Sequence, residues 1–254
     1  MNRRSHRPWS ILGNAVARFF PPACAGCDGH TSPEQAFCAL CSPLAGALEA
    51  PRCAICAVPM EEFSSTVTTE SECSRCRSRP PAFERIRARW KYDGAVADAL
   101  RRVKYGDDFA ALRALCRGAR PWFHRQLATL PDDAPIIPVP SHDRALRRRG
   151  FHVPTMALHL LGGRHHSRRI DHRLIKTEET PRQASLPLAA RRANVRGVFA
   201  AANTCPRAKG AAILFDDVVT TGATADEASR ALSEAGFDHI FVLTLARAPD
   251  RSKS

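Results

Sequence analysis

Asp216 and Asp217 stand at the end of an apolar run, Ala211 to Phe215, and are followed by Thr220, Thr221, Gly222, Ala223 and Thr224. A continuous hydrophobic segment of that length suits a parallel strand buried on both faces. Ligands of open α/β sheets bind outside the carboxyl ends of the strands, where two carboxylates can hold sugar hydroxyls or a divalent cation. Small residues after the acids let backbone N–H groups close around an anion, the threonine hydroxyls add donors, and a helix beginning near Ala223 turns its positive end toward it. The order therefore describes a site for a phosphate and a ribose. The plain alternative is a buried strand and a capped helix with solvated acids between them. A strand ending in Asp-Asp also suits a nucleotide-loop protein, but the chain contains neither G-x-x-x-x-G-K-[ST] nor G-x-G-x-x-G.

The second chemical feature is cysteine. Eight of the ten fall in four C-x-x-C pairs: Cys24/Cys27, Cys38/Cys41, Cys53/Cys56 and Cys73/Cys76. Taken in sequence order they read C-x2-C-x10-C-x2-C and C-x2-C-x16-C-x2-C. Each knuckle turns two thiolates toward one point, and two knuckles close a tetrahedral shell, so the pattern predicts two structural zinc sites. A cross-braced pairing of alternate knuckles is also compatible with the spacing. Disulfides are the competing account. They are disfavoured because the first twenty residues lack the apolar segment and cleavage pattern of a secretory leader, which points to a reducing, cytoplasmic setting. Cys116 and Cys205 stand alone.

The chain has 254 residues and a formal charge of +13, from 38 basic and 25 acidic residues. That balance suits polyanionic partners without choosing among them. Between His142 and Arg182 ten Arg/Lys face four acids; a diphosphate, single-stranded nucleic acid or a solvated helix face would each account for the excess. No apolar stretch reaches transmembrane length. The elements that must position the acids and cysteines follow from periodicity. Residues 1–20 form an amphipathic helix on Trp9, Leu12, Val16 and Phe19, and residues 21–81 are a cysteine-rich module that depends on metal. Residues 82–250 alternate strands and helices: strand 85–92, helices 94–105 and 110–130, strand 134–140, helical composition over 143–161, a strand remnant at Leu174-Ile175, then the acid-bearing strand, its helix and a last strand 239–246. Such alternation indicates a parallel sheet.

Four further segments give the pattern a likeness. Trp90 to Gly94 with Val103-Lys104-Tyr105, Pro138-Val139-Pro140 with Arg147 to Phe151, Thr180 to Leu186, and Arg191 to Phe199 resemble, in order, segments of the ComF family. The Asp216–Thr224 stretch resembles the phosphoribosyl-pyrophosphate (PRPP) signature of type I phosphoribosyltransferases. The likeness runs from about residue 20 to 247. It implies an α/β, parallel-sheet type I phosphoribosyltransferase fold with an N-terminal double zinc ribbon, in a cytoplasmic family linked to DNA uptake, natural transformation and the use of external DNA.

By that resemblance Asp216 and Asp217 hold the ribose hydroxyls, and Val218, Thr220, Thr221, Gly222, Ala223 and Thr224 surround the 5-phosphate. Ser141, Arg144 and Arg147 face the diphosphate, and Lys176 to Leu186 form a closing loop in which Lys176 and Arg182 act with the acids. PRPP with Mg2+ is the implied ligand and Zn2+ the structural metal. The reaction class is pentosyl transfer to an unnamed acceptor. Loss of diphosphate builds positive charge on the sugar and negative charge on the leaving group, so acids near one and cations near the other are both required. The sequence departs from the family at His152-Val153, where Asn-Gln is usual, and at Lys176, where arginine is common. Lys104 reads as a surface or structural lysine. Two other functions fit the composition: a single-stranded DNA-binding factor with a regulatory PRPP site, and a zinc-ribbon scaffold for proteins of DNA uptake.

Overall fold

The computed structural model describes residues 22–60, 71–141, 146, 150–162, 169–177, 197–202 and 209–249. The N-terminal helix expected over residues 1–20 lies outside this set. Six strands are present among the described residues: β1 (Arg85–Lys91), β2 (Ile136–Pro138), β3 (Leu174–Lys176), β4 (Phe199–Ala201), β5 (Ala211–Val219) and β6 (His239–Arg247). Five α-helices accompany them: α1 (Ser74–Ser78), α2 (Gly94–Tyr105), α3 (Phe109–Leu127), α4 (Val153–Gly162) and α5 (Ala223–Glu234). Four strands form one all-parallel sheet in the order β1-β6-β5-β2, and β3 pairs with β4 in a separate antiparallel pair. The molecule is thus mixed α/β with a parallel sheet, as the alternation of elements predicts.

The helix boundaries follow from their caps. The Asp93 carboxylate accepts from the Gly94 amide, and that of Asp108 accepts from the Ala111 amide at 2.8 Å. A tight turn, with Leu130 N donating to Leu127 O, ends α3 at Leu127 rather than at Leu130. Pro135 and Pro140 flank β2, and because proline lacks an N–H the strand is shorter than the apolar run around it. β4 and the short α1 have no counterpart in the periodicity of the sequence.

The central strands are buried on both faces. Ile213, Phe215, Leu243 and Leu245 pack on one side with α2, α3 and α4, while Ala212, Leu214 and Val242 pack on the other with α5. Each large apolar side chain so covered contributes roughly 1.5–3 kcal/mol. The two cysteine modules divide between these layers. Ala25, Ala36 and Phe37 of the first join the α2/α3 side, where the Phe37 ring meets Trp90 edge-on at 6.0 Å between centroids; Leu48, Ala57 and Val58 of the second join the α5 side. The chain between the modules runs along edge strand β1, with Leu48 N donating to Arg89 O at 3.1 Å and Lys91 N to Gly46 O at 2.9 Å. The strand edge is thereby covered.

Candidate functional site

Strand β5 does not end at Phe215. Its ladder with β6 continues through Asp216↔Thr244, Val218↔Ala246 and Val219↔Arg247, so both acids lie within the strand near its carboxyl end. Pleating sends them to opposite faces. Asp217 shares the Phe215 face and is 4% exposed, and its Oδ2 lies 2.8 Å from Nζ of Lys104 in the last turn of α2. This pairing allows a carboxylate inside a hydrophobic ladder, since a buried charge is tolerated when paired. Burial alone would lower the Lys104 pKa, but the carboxylates of Asp217 and Asp216 outweigh it and raise it above its ordinary value. Burial and the neighbouring Asp217 carboxylate push Asp216 well above the usual carboxylate range. A carboxyl that keeps its proton longer can donate as well as accept. Lys104, read from sequence as a surface or structural residue, is therefore part of the acid cluster; Lys-Tyr at the end of an amphipathic helix carries no signal of that role.

Beyond β5 the chain turns over Thr220 and Thr221 into Gly222, which caps α5 at φ +83, a left-handed conformation suited to glycine. A Cβ at Gly222 would meet no atom within 4 Å, so the position is required by backbone conformation and faces open space. The Thr221 hydroxyl accepts from the Ala223 amide at 3.2 Å. The α5 N-terminus thus opens into a space beside the acids, the arrangement expected for an anion site.

One residue holds this turn from below. Arg247, the last residue of β6, is 1% exposed. Its Nη1 donates to the carbonyls of Thr220, Val219 (3.4 Å) and Ala248 (2.7 Å), and its Nε donates to the carbonyl of Cys56 at 2.8 Å. Its Nη2 lies 4.0 Å from the Cys56 sulfur. One guanidinium therefore ties the turn after β5 to the second cysteine module. A small cavity of about 30 Å³ marks the same seam, lined by Cys56, Arg75, Arg79, Thr221, Gly222 and Asp226. The Asp226 carboxylate also accepts from the Ala82 amide at 2.8 Å.

The cysteines converge in sequence order, not cross-braced: Cys24, Cys27, Cys38 and Cys41 form one set and Cys53, Cys56, Cys73 and Cys76 the other, with the sulfurs of each set within 4.8 Å of one another. Tetrahedral zinc at the usual Zn–S length of about 2.3 Å places sulfurs about 3.8 Å apart. The Cys27–Cys38 and Cys56–Cys73 sulfurs are each 3.7 Å apart, which fits. Backbone amides of Gly26 and Cys38 donate to the Cys24 sulfur, and those of Cys56 and Cys73 to the Cys53 sulfur, as they would to thiolates bound to a cation. These are two zinc-binding sites of four cysteines each. Cys116 is buried in α3 and its thiol is pushed up by burial, a packing role.

The other expected site residues are placed as follows. Ser141 follows β2, and its amide donates to Nε2 of His152 at 3.1 Å, while Nδ1 lies 2.8 Å from the Thr155 hydroxyl and 3.4 Å from the Thr155 amide, which donates to it. His152, a departure from the family pattern, thus fixes the turn after Pro140. Lys176 ends β3, which lies with β4 against α5 rather than in a loop. Val218 is half-buried between the acids and the turn. Arg144, Arg147, Arg182 and Cys205 lie outside the described residues, as do residues 178–186 of the expected closing loop. No helix among the described residues is long and apolar enough to cross a membrane.

Comparison with known proteins agrees with this construction. Residues 15–80 match the model of the double zinc ribbon domain. The chain is similar to competence protein F of Haemophilus influenzae, 26% identical over 241 residues that span 92% of this chain and 100% of that protein. It is also similar to DNA utilization protein YhgH of Escherichia coli O6:H1, 28% identical over 179 residues, 69% of this chain and 77% of that protein. The K12 strain protein of the same name is 27% identical over 179 residues, again 69% of this chain and 77% of that protein. Two sequential four-cysteine sites, a parallel α/β sheet and relatives of these names together support assignment of the chain to the ComF family.

Proposed function

We propose that the carboxyl end of β5 is a PRPP site, and that the protein is a ComF-like phosphoribosyltransferase-domain protein serving the uptake or use of DNA in the cytoplasm. The observation that carries the reading is the juxtaposition of Asp216, Asp217 and Lys104 with the Gly222-capped start of α5. A ribose whose phosphate sat on the α5 N-terminus would lie near the carboxyl end of β5, where both acids stand. Ionised Asp217, fixed by Lys104, opposes positive charge developing on the sugar, and Asp216, with its raised pKa, exchanges hydrogen bonds with a ribose hydroxyl. Ser141, held by His152, offers a polar group at the end of the adjacent strand β2 for the diphosphate.

Among the described residues only the two cysteine sets gather three or more metal-ligating groups at one point. Asp216 and Asp217 supply too few oxygens to cage Mg2+ by themselves, but they fit a cation that keeps the diphosphate oxygens and waters as its other ligands. When bound, Mg2+ would neutralise charge on the departing diphosphate.

Calorimetric titration of PRPP with and without Mg2+ tests the reading. Saturable, Mg2+-dependent binding to the zinc-loaded chain, lost in Asp216→Asn with Asp217→Asn while zinc content and thermal unfolding persist, supports it. Absence of binding to folded wild type removes the ligand assignment, and salt-sensitive binding of single-stranded DNA in its place would transfer the function to the basic surface.

A further inference from the structure

We infer that a second anion site, specific for a phosphate ester, lies at the opposite end of the sheet, beneath the carboxyl end of α3. A cavity of about 270 Å³ opens there, lined by Arg85, Arg87, Gln126, Thr129 and Phe241, at the amino ends of β1 and β6. A rise of about 3.3 Å per residue puts it roughly 20 Å from Arg247 and the phosphate turn, so it is separate from the proposed PRPP site.

Its charge is unbalanced. The alternation of β1 places Arg85, Arg87 and Arg89 on one face, all half-buried, while Ile86, Ala88 and Trp90 fill the core on the other. Arg52 stands near enough to Arg87, and Arg125 to Arg89, to repel them. Against these five cations stand two carboxylates and the Cys53 thiolate, which attracts Arg87. Glu84 is hydrogen-bonded to Nδ1 of His239 at 2.8 Å, and Glu49 interacts at long range with Arg89. Among the described residues neither forms an ion pair with an arginine of the group. The Nε of Arg89, next on the same face of β1 beyond the cavity lining, is buried and lacks a hydrogen-bond acceptor. A half-buried cluster of like charge with an orphaned donor is costly unless an anion completes it.

The geometry favours phosphate over carboxylate. Arg87 is anchored through Nη1 to the carbonyls of Ala54 and Ile86, both at 3.0 Å, and the Arg85 guanidinium lies 5.2 Å above the centre of the Phe241 ring. Arg85 and Arg87, two residues apart on the strand with about 7 Å between Cα atoms, both line the cavity; two guanidinium forks suit a tetrahedral group with three acceptor oxygens, whereas a planar carboxylate is satisfied by one. Gln126 and Thr129 add neutral hydrogen-bonding groups, and Phe241 an apolar wall for the esterified part. The phosphate can belong to a free nucleotide or to the backbone of single-stranded nucleic acid.

The test uses full-length, zinc-loaded protein titrated with inorganic phosphate, a nucleoside 5′-monophosphate and a short oligothymidylate without terminal phosphate. Binding is measured calorimetrically and located by hydrogen exchange. The inference predicts saturable binding that protects residues 126–130 and 241–243. Arg85→Gln with Arg87→Gln should weaken it at least about tenfold, the equivalent of one lost charge-assisted hydrogen bond, with zinc content unchanged. Arg85→Lys with Arg87→Lys should retain part of the affinity, which separates charge loss from misfolding. Preference for the monophosphate identifies a nucleotide as the source, and preference for the oligomer identifies a nucleic-acid backbone. Protection confined to residues 219–224, no saturable binding, or equal affinity in the Gln variant overturns the inference.

Discussion

The two zinc ribbons have the same ligands but different relations to the rest of the chain. The first is the more open: Cys27 is exposed and Cys38 and Cys41 are half-buried, whereas three of the four cysteines of the second are buried. The first is attached through side chains that reach it from helices. Arg102 Nη2 and Nη1 donate to the carbonyls of Ala25 at 2.6 Å and Gly26 at 3.1 Å, and Arg117 holds the carbonyls of Ala23 and Gln35. The second is attached through the sheet itself. Ile86 N donates to Ile55 O at 2.6 Å within β1, and Arg247, in the core, joins Cys56 to the turn that carries Thr220. One ribbon is docked on the fold; the other is a wall of the candidate site. A structural metal can therefore brace a neighbouring loop when the backbone around it shares hydrogen-bond partners with that loop.

Removing each metal separately gives the widest contrast. Cys73→Ser with Cys76→Ser should halve the zinc content and strip the phosphate turn of its support, abolishing PRPP binding. Cys38→Ser with Cys41→Ser should also halve the zinc but leave most of the affinity. Zinc assay paired with calorimetry reads both, and equal loss in the two variants would erase the distinction.

The arginines sharpen the comparison. Arg247→Met strands several buried carbonyls at about 1–3 kcal/mol each, so stability should fall by about 3 kcal/mol or more, and binding with it. Arg102 is one-third exposed and has water to replace it. For Arg102→Met, denaturant unfolding should show a loss of about 1 kcal/mol with little effect on ligand. Sequence reasoning could not have singled out Arg247, since it ends an apolar strand and meets Cys56 across 191 residues. The cysteine sets were legible because each knuckle is local and the chemistry of four thiols is restrictive. The β5–turn–α5 unit was legible because a buried run, two acids and a left-handed glycine each have one economical structural use. Lys104 was not, because its partner is set by how α2 lies across the sheet. The strand β4 was not either, because three residues carry no period.

Lys104→Met probes the acid cluster. Leaving Asp217 buried without its cation should cost about 2 kcal/mol, less than a fully buried pair because Lys104 is 28% exposed. The pH dependence has a definite sign. The folded pKa of Lys104 is raised above the ordinary 10.5. Its stabilisation is therefore complete below 10.5 and disappears as pH climbs through the higher folded value. Thermal unfolding followed from about pH 9 into the alkaline range above 10.5 should show a shallower decline in the methionine variant.

The smallest effect on the ligand belongs to the docking of the first ribbon. A Cβ at Gly118 of α3 would lie 2.6 Å from that of Ala36 and 2.7 Å from its amide nitrogen, so Gly118→Ala should push the ribbon away at about 1–3 kcal/mol. PRPP affinity should change less than about twofold, well under 1 kcal/mol; a larger loss would show that the first ribbon also shapes the site.

The most direct measurement is hydrogen exchange of the amides of residues 219–223 in the two zinc-loss variants without ligand, with the amides of α3 as an internal control for global folding. If the second ribbon holds the phosphate turn through Arg247, exchange there should accelerate at least about a hundredfold, a loss of roughly 2.7 kcal/mol of local protection, in Cys73→Ser with Cys76→Ser. It should be unchanged in Cys38→Ser with Cys41→Ser while α3 stays protected in both. Equal protection of residues 219–223 in the two variants would contradict the account.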